Sequence, residues 1–127
     1  MAGNLSDYLE NKLLDHFLGT TAYTMPTTVY VGLYTVAPTD AGGGTQVTGG
    51  SYARQTAAFS GAASGATSNT ANIDFAGMPA ATTVAIGVFD AITAGNLLLW
   101  GTLTANKTTD AGDTLRIATG DLDISID

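Results

Sequence analysis

The sequence predicts a mainly β protein, an antiparallel β-sandwich of the immunoglobulin-like or jelly-roll-like kind, with one amphipathic α-helix at its N-terminus. Three observations predict this fold. Apolar residues follow helical spacing only near the start of the chain. After Gly19 they alternate with a period of two, in short segments separated by turns rich in Gly, Asp and Asn. One helix cannot supply the crossovers of a parallel sheet, so antiparallel pairing is expected.

The helix is predicted over residues 5–18. Asn4 or Ser6 can accept a hydrogen bond from the first turn as an N-cap, and acidic residues follow in that turn. Gly19 stands where a left-handed residue ends many helices. The helix is therefore expected to be short and well bounded.

An apolar stripe runs along this helix. Leu9, Leu13 and Phe17 fall on one face, with Leu14 and Leu18 beside them. Such a stripe usually covers one edge or end of a sheet, and a second interpretation is that it docks on a partner protein. Leu9, Leu13 and Phe17 are accordingly candidate partner-binding residues.

Seven strands are predicted after the helix. The first is expected to be central in its sheet, because both of its faces are rather apolar. The glycine-rich stretch 38–50 is expected to be a loop, and 60–70 either a loop or a weak edge strand. The predicted strands are 27–36, 51–59, 71–76, 82–90, 97–103, 114–118 and 122–126.

Alternation within the strands also predicts buried side chains. Val84, Ile86 and Val88 should share one face, and Trp100 should fill the core. The last strand should bury its apolar set, Leu122, Ile124 and Ile126.

The chain is expected to form one domain over residues 1–127. Its length of 127 residues suits a single core. Within that domain, 1–19 would carry the helix and 27–127 the β-sandwich body. The low-complexity stretches 40–50 and 60–70 are interpreted as loops of this domain.

Charge excludes several classes of partner. Charged residues make up only 12% of the chain and the net charge is −7, which suits a surface packed against neighbouring proteins. The absence of a basic cluster argues against nucleic acid and anionic membranes as partners. No apolar run approaches the roughly 20 residues of a membrane-spanning helix, so a soluble protein made in a cytoplasm is expected. The four basic residues are scattered at Lys12, Arg54, Lys107 and Arg116.

Residues able to perform chemistry are sparse. The single histidine, His16, lies on the predicted helix, and no serine has the spacing of a nucleophile elbow. The chain has no cysteine, and its glycine loop has no phosphate-binding lysine. Asp121 and Asp123 share one strand face, but no calcium-loop spacing accompanies them. We therefore expect no enzyme activity, no cofactor and no metal site.

Tyr52 and Arg54 are the remaining candidate partner-binding residues. They follow directly after the glycine-rich loop and alternate on one strand face. Tyr and Arg are frequent at protein interfaces. The two side chains are interpreted as interface contacts or as anchors for the preceding loop.

Several segments of the chain resemble a group of small virion proteins of tailed bacteriophages. Members of this group are described as capsid cement or decoration proteins, or as tail-fibre proteins. The resemblance covers most of the chain, consists of structural signatures and carries no catalytic residues. It rests on 5–16, 29–40, 87–91, 95–101 and the segment Gly49-Gly50-Ser51-Tyr52-Ala53-Arg54-Gln55.

The resemblance implies a structural protein located in the virion and made in the cytoplasm of a host bacterium. The leading hypothesis is a capsid decoration or cement protein, a homo-oligomer that bridges major capsid subunits on the outside of the head. The alternative is a tail or tail-fibre component that binds other virion proteins and contacts the host surface. A polysaccharide hydrolase, the third class, would need two positioned carboxylates in a deep cleft.

Overall fold

A computed structural model describes residues 4–126, which form one α-helix and ten β-strands. Three of the strands span only two or three residues each in the first 60 residues, so loops carry much of that part of the chain. The elements in order are β1 (Asn4–Leu5), α1 (Asp7–Phe17), β2 (Val29–Val36), β3 (Thr45–Gln46), β4 (Gln55–Ala57), β5 (Ala66–Ser68), β6 (Ile73–Met78), β7 (Ala81–Phe89), β8 (Leu97–Thr109), β9 (Asp113–Ile117) and β10 (Asp123–Ser125).

A six-stranded antiparallel sheet forms the larger layer. Its strand order is β1-β8-β7-β2-β3, and β4 also pairs with β2. Two further antiparallel pairs, β5 with β10 and β6 with β9, form small two-stranded sheets. The mainly β, antiparallel fold with one N-terminal helix is thus confirmed, and β2 is central as predicted.

The main core lies between the six-stranded sheet and the two smaller sheets. One face of the large sheet contributes Val31, Leu33 and Ile86, and the β6–β9 pair contributes Phe75 and Leu115. Leu122 and Ile124 beside and within β10 join the same cluster, as their alternation predicts. Burial of these aliphatic side chains is the principal stabilising contribution of the fold.

A second, smaller cluster occupies the opposite face of the large sheet. It contains Tyr34, Ala85 and Phe89, and the rings of Tyr34 and Phe89 stack with centroids 6.3 Å apart. Gly32 and Gly87 are directly opposite each other in the β2–β7 ladder. A Cβ on either glycine would approach a ring carbon of Phe89 to about 3 Å, so both positions require glycine for this ring to lie flat on the sheet.

The β7–β8 hairpin is confirmed, but β8 is longer than predicted. Thr83 pairs with Lys107 and Ala85 pairs with Thr102, so a single residue of β7 faces four residues of β8. This bulge lets β8 continue to Thr109 instead of ending at 103. Val84, which faces the bulge, packs with the second cluster, and its predicted place beside Ile86 and Val88 is wrong.

The strand predicted over 51–59 is reduced to β4. The amide of Ser51 donates to the carbonyl of Gly77 at 2.7 Å, and the amide of Tyr52 donates to the carbonyl of Gly49 at 3.2 Å. These bonds fold the start of the segment into a turn. The 38–50 loop contains β3, and the 60–70 stretch contributes β5, in agreement with the predicted weak strand.

Two predicted core residues lie elsewhere. Ile126 is 57% exposed, because the chain passes beyond the end of the β5–β10 pair at that point. Trp100 is only half-buried, and its indole Nε1 donates to the Oδ1 atom of Asp40 at 2.9 Å. The indole therefore links β8 to the 38–44 loop instead of filling the core.

Candidate interaction surface

The N-terminal end of α1 is fixed to the large sheet. The two residues of β1 pair with Trp100 and Leu99 of β8. Ser6, not Asn4, is the N-cap, and its buried hydroxyl accepts a hydrogen bond from the amide of Leu9 at 3.2 Å. The Ser6 hydroxyl also donates to the carbonyl of Leu97 at 2.5 Å. The predicted helix start at Leu5 is wrong, because Leu5 belongs to the strand that positions the helix.

A second connection joins the first helical turn to the 38–44 loop. The amide of Asp7 donates to the carbonyl of Asp40 at 2.8 Å. Because the Asp40 carboxylate also accepts from Trp100, this one residue holds the helix start and β8 together. This role of Asp40 was not predicted, since nothing in a glycine-rich loop indicates which acidic side chain contacts a distant indole.

The C-terminal half of α1 leaves apolar side chains in solvent. None of the helix side chains is fully buried; Leu9 and Leu13 are half-buried. Leu14, Phe17 and Leu18 are 56%, 71% and 77% exposed. We refer to Leu14, Phe17 and Leu18 as the helix surface. The structure thus divides the predicted stripe into a part that lies on the body and a part that faces outward.

The segment after the helix turns back beside it. Gly19 has the predicted left-handed conformation, with φ of 79°. The amide of Tyr23 donates to Nδ1 of His16 at 3.1 Å, which gives the single histidine a structural contact in the last turn. Met25, 78% exposed, follows in this segment. Large apolar side chains are therefore exposed both on the helix and just after it.

Tyr52 completes the hydrogen bonding of β2. β4 pairs with Val29–Val31 and β3 pairs further along β2, and between them the amide of Leu33 donates to the Tyr52 hydroxyl at 2.8 Å. The Tyr52 ring stacks on Phe75 of β6, with centroids 6.0 Å apart. Burial raises the pKa of Tyr52 above its ordinary value.

Arg54 holds the turn between β7 and β8. Its Nη1 atom donates to the carbonyls of Ala91 and Ala94 at 2.9 and 2.8 Å, and the guanidinium lies 3.5 Å from the ring centroid of Phe89. Burial lowers the pKa of Arg54, which nevertheless stays charged at neutral pH. Tyr52 and Arg54 thus have the contacts of loop anchors, and contact with a partner stays a prediction for both.

Groups suited to metal binding do not gather in the part of the chain that the structure describes. Residues 4–126 contain no group of three or more His, Asp or Glu side chains that could hold a metal ion. Asp121 and Asp123 are both exposed, as their alternation predicts. In the same residues, no helix is long and apolar enough to cross a membrane.

Comparison with known proteins gives the family. A search of curated proteins finds no match. A family model described as "Podophage GP4 fiber I protein gp80" matches residues 4–125, nearly the whole chain. This is a family of structural phage fibre proteins, which confirms the predictions of a virion location and of no enzyme activity. The chain belongs to the podophage fiber I protein gp80 family.

Proposed function

We propose that the protein is a structural part of a podophage tail fibre and that it attaches to a neighbouring virion protein through the helix surface. The observation that carries this proposal is the contrast along α1. The N-terminal end of the helix is held by a strand, a buried cap and a loop, whereas Leu14, Phe17 and Leu18 are mostly exposed. A fixed helix with an unoccupied apolar face is typical of helix recognition by a partner groove.

The energetics favour a binding role for these side chains. Complete burial of a Leu or Phe side chain contributes roughly 1.5–3 kcal/mol. Because the three side chains are more than half exposed, most of this free energy would be gained only when a partner covers them. Because Ser6 and β1 already fix the helix on the body, docking costs little additional ordering of the helix.

Membership of the fibre family favours the tail-fibre alternative over capsid decoration. The partner is accordingly proposed to be another virion protein of the tail, and the major capsid protein is the less favoured choice. The low content of charged residues, 12%, supports a role in packing against a neighbouring protein. Self-association into a homo-oligomer is part of the same proposal, and Tyr52 and Arg54 are proposed to contribute through the turns that they hold.

The first prediction tests the helix surface by substitution. Phe17→Ser combined with Leu18→Ser should weaken attachment, with a rise in Kd of at least about tenfold, because two exposed anchors are lost. The measurement is the amount of the variant that is retained in phage particles assembled without the wild-type protein. Neither side chain is buried in the body, so the thermal unfolding midpoint of the purified variant should stay unchanged.

A matched control removes the same kind of side chain elsewhere. Val36 and Ile126 are 56% and 57% exposed and belong neither to α1 nor to the segment that follows it. Val36→Ser combined with Ile126→Ser should leave particle incorporation intact. Equal loss of incorporation in both double variants, or no loss in either, would overturn attachment through the helix surface. Light scattering of the purified proteins then distinguishes a self-association interface from one with a different virion protein.

A further inference from the structure

A cleft lies beside the β8 bulge, and it is lined by none of the residues of the helix surface. Its volume is about 300 Å³, at the lower end of the range for small-molecule sites, roughly 300–1,000 Å³. Aliphatic side chains line its floor and charged side chains its rim. The floor includes Leu103, Leu115 and Ile117, and the rim carries Lys107, Arg116 and Asp121.

The bulge opens this cleft. Between Thr102 and Lys107, four residues of β8 face a single residue of β7, so their backbone groups lie outside the regular ladder. Leu103, Thr104 and Ala105 of this stretch line the cleft. Bulges often redirect side chains next to binding sites, and here one brings a lysine and unpaired backbone groups to the same rim.

Two basic side chains lie at this rim, although the chain as a whole is acidic. Only four residues are basic, and the net charge is −7. Lys12 lies over the ring of Tyr8 on the helix, and Arg54 is folded into the body. The other two, Lys107 and Arg116, both line the cleft. Half of the cations of the chain therefore lie in one place.

The two cations are not equivalent. Arg116 makes a two-point contact with Asp74, with Nε and Nη2 at 2.7 and 3.1 Å from the carboxylate oxygens. Lys107 has no ion-pair partner among residues 4–126. Asp121 stands on the same rim and would oppose an anion. Lys107 is thus the group able to neutralise a ligand charge.

We propose that this cleft binds a compact ligand that carries one carboxylate. The carboxylate pairs with Lys107, and the carbon skeleton lies on Leu103, Leu115 and Ile117. A uronic acid unit of a polysaccharide and a free aliphatic acid share this chemistry. The floor has no aromatic ring, which makes the carboxylate the main recognised feature. This site does not depend on how the protein attaches to the virion.

Titration of the ¹⁵N-labelled chain followed by NMR tests the proposal, with sodium glucuronate, sodium isovalerate and neutral glucose as separate ligands. Either carboxylate should shift the amide signals of 103–107 and 115–117, and glucose should not. Preference for glucuronate over isovalerate would indicate a sugar acid, and the reverse an aliphatic acid. Shifts outside these segments, equal binding of glucose, or no shift with either carboxylate would overturn the proposal.

Two substitutions at the rim are expected to change carboxylate binding in opposite directions. Lys107→Gln should weaken binding of the carboxylate at least about fivefold, because a charge-assisted hydrogen bond is lost. Asp121→Asn should strengthen it, because a repulsive charge is removed. Lys12→Gln changes the net charge by the same amount as Lys107→Gln but lies on α1, and should leave binding unchanged. Equal effects of Lys107→Gln and Lys12→Gln would show that only overall charge matters and would overturn the site.

Discussion

Tyr52 and Arg54, which follow the glycine-rich loop, make hydrogen bonds to backbone groups of a strand and of a turn. Tyr52 supplies the acceptor that β2 lacks between β3 and β4, and Arg54 supplies donors to two carbonyls of the β7–β8 turn. Both act through a polar tip on a long side chain whose body is covered. Their residue types and position in the sequence drew attention to them, but the backbone groups that they contact are 19 to 40 residues away in the chain.

Removal of the Tyr52 hydroxyl should be costly. In Tyr52→Phe, the amide of the fully buried Leu33 loses its acceptor, and an unsatisfied buried donor costs about 1–3 kcal/mol. Chemical denaturation followed by fluorescence measures the change in the free energy of unfolding. Tyr30→Phe is the control, since the Tyr30 hydroxyl has no hydrogen-bond partner among the described residues. Equal stability of the two variants would contradict the role assigned to Tyr52.

At the scale of elements, α1 and β2 were predictable because local signals agree with the tertiary fold. The helix has a capping serine, a periodic apolar stripe and a terminal glycine, and β2 has a long alternating pattern. The bounds of β4 and β8 were not predictable, since a turn held by Gly77 shortens the first and a bulge extends the second. Neither cause has a local pattern in the sequence.

The candidate site was predicted only in part. The apolar stripe of α1 was visible, but its division between the body and solvent depends on where β1 fixes the helix, which no periodicity gives. The cleft was missed because Lys107 and Arg116 are brought together by the same bulge. Residue patterns thus indicate chemistry along one element, whereas sites between elements require the pairing register.

The β6–β9 pair should respond to acid through its one ion pair. The hydrogen bond from Arg116 is the largest cause that lowers the pKa of Asp74 below its ordinary value of 3.8. A group whose pKa is lower in the folded state stabilises the fold above its unfolded pKa, and this contribution is lost as pH falls through the folded pKa.

The stability difference between wild type and Asp74→Asn should therefore shrink as pH falls from about 5 to about 2. Thermal unfolding midpoints over this range measure it. In an Arg116→Gln background, Asp74→Asn should show a weaker trend, because the group that lowers the pKa of Asp74 is removed. A difference that grows on acidification would contradict the ion pair as its source.

At the scale of the whole molecule, the chain is a mainly β protein with sparse charge and with exposed apolar side chains on its one described helix. Such a molecule suits adhesion between proteins better than diffusion as a free enzyme. The fibre family gives the class of assembly, and the helix surface is the proposed site of attachment. Together they lead to a prediction about the number of copies of the chain in each particle.

A fibre component should be present in far fewer copies than the major capsid protein. Quantitative mass spectrometry of purified phage should find the chain at a small fraction of the capsid protein, and antibody label should lie at the tail. Copy numbers comparable with those of the capsid protein, with label spread over the head, would restore the capsid decoration hypothesis.

The irregular path of β8 has a further consequence for a protein that belongs to a multi-protein particle. Beyond Trp100, the outer side of β8 pairs with no other strand among residues 4–126, so it would present an open row of backbone groups. The bulge bends this row, and Lys107 adds a charge to it. A bend and a charged side chain on an exposed strand are features that disfavour edge-to-edge polymerisation. We therefore expect this edge not to compete with the partner-binding surface for association between copies of the chain.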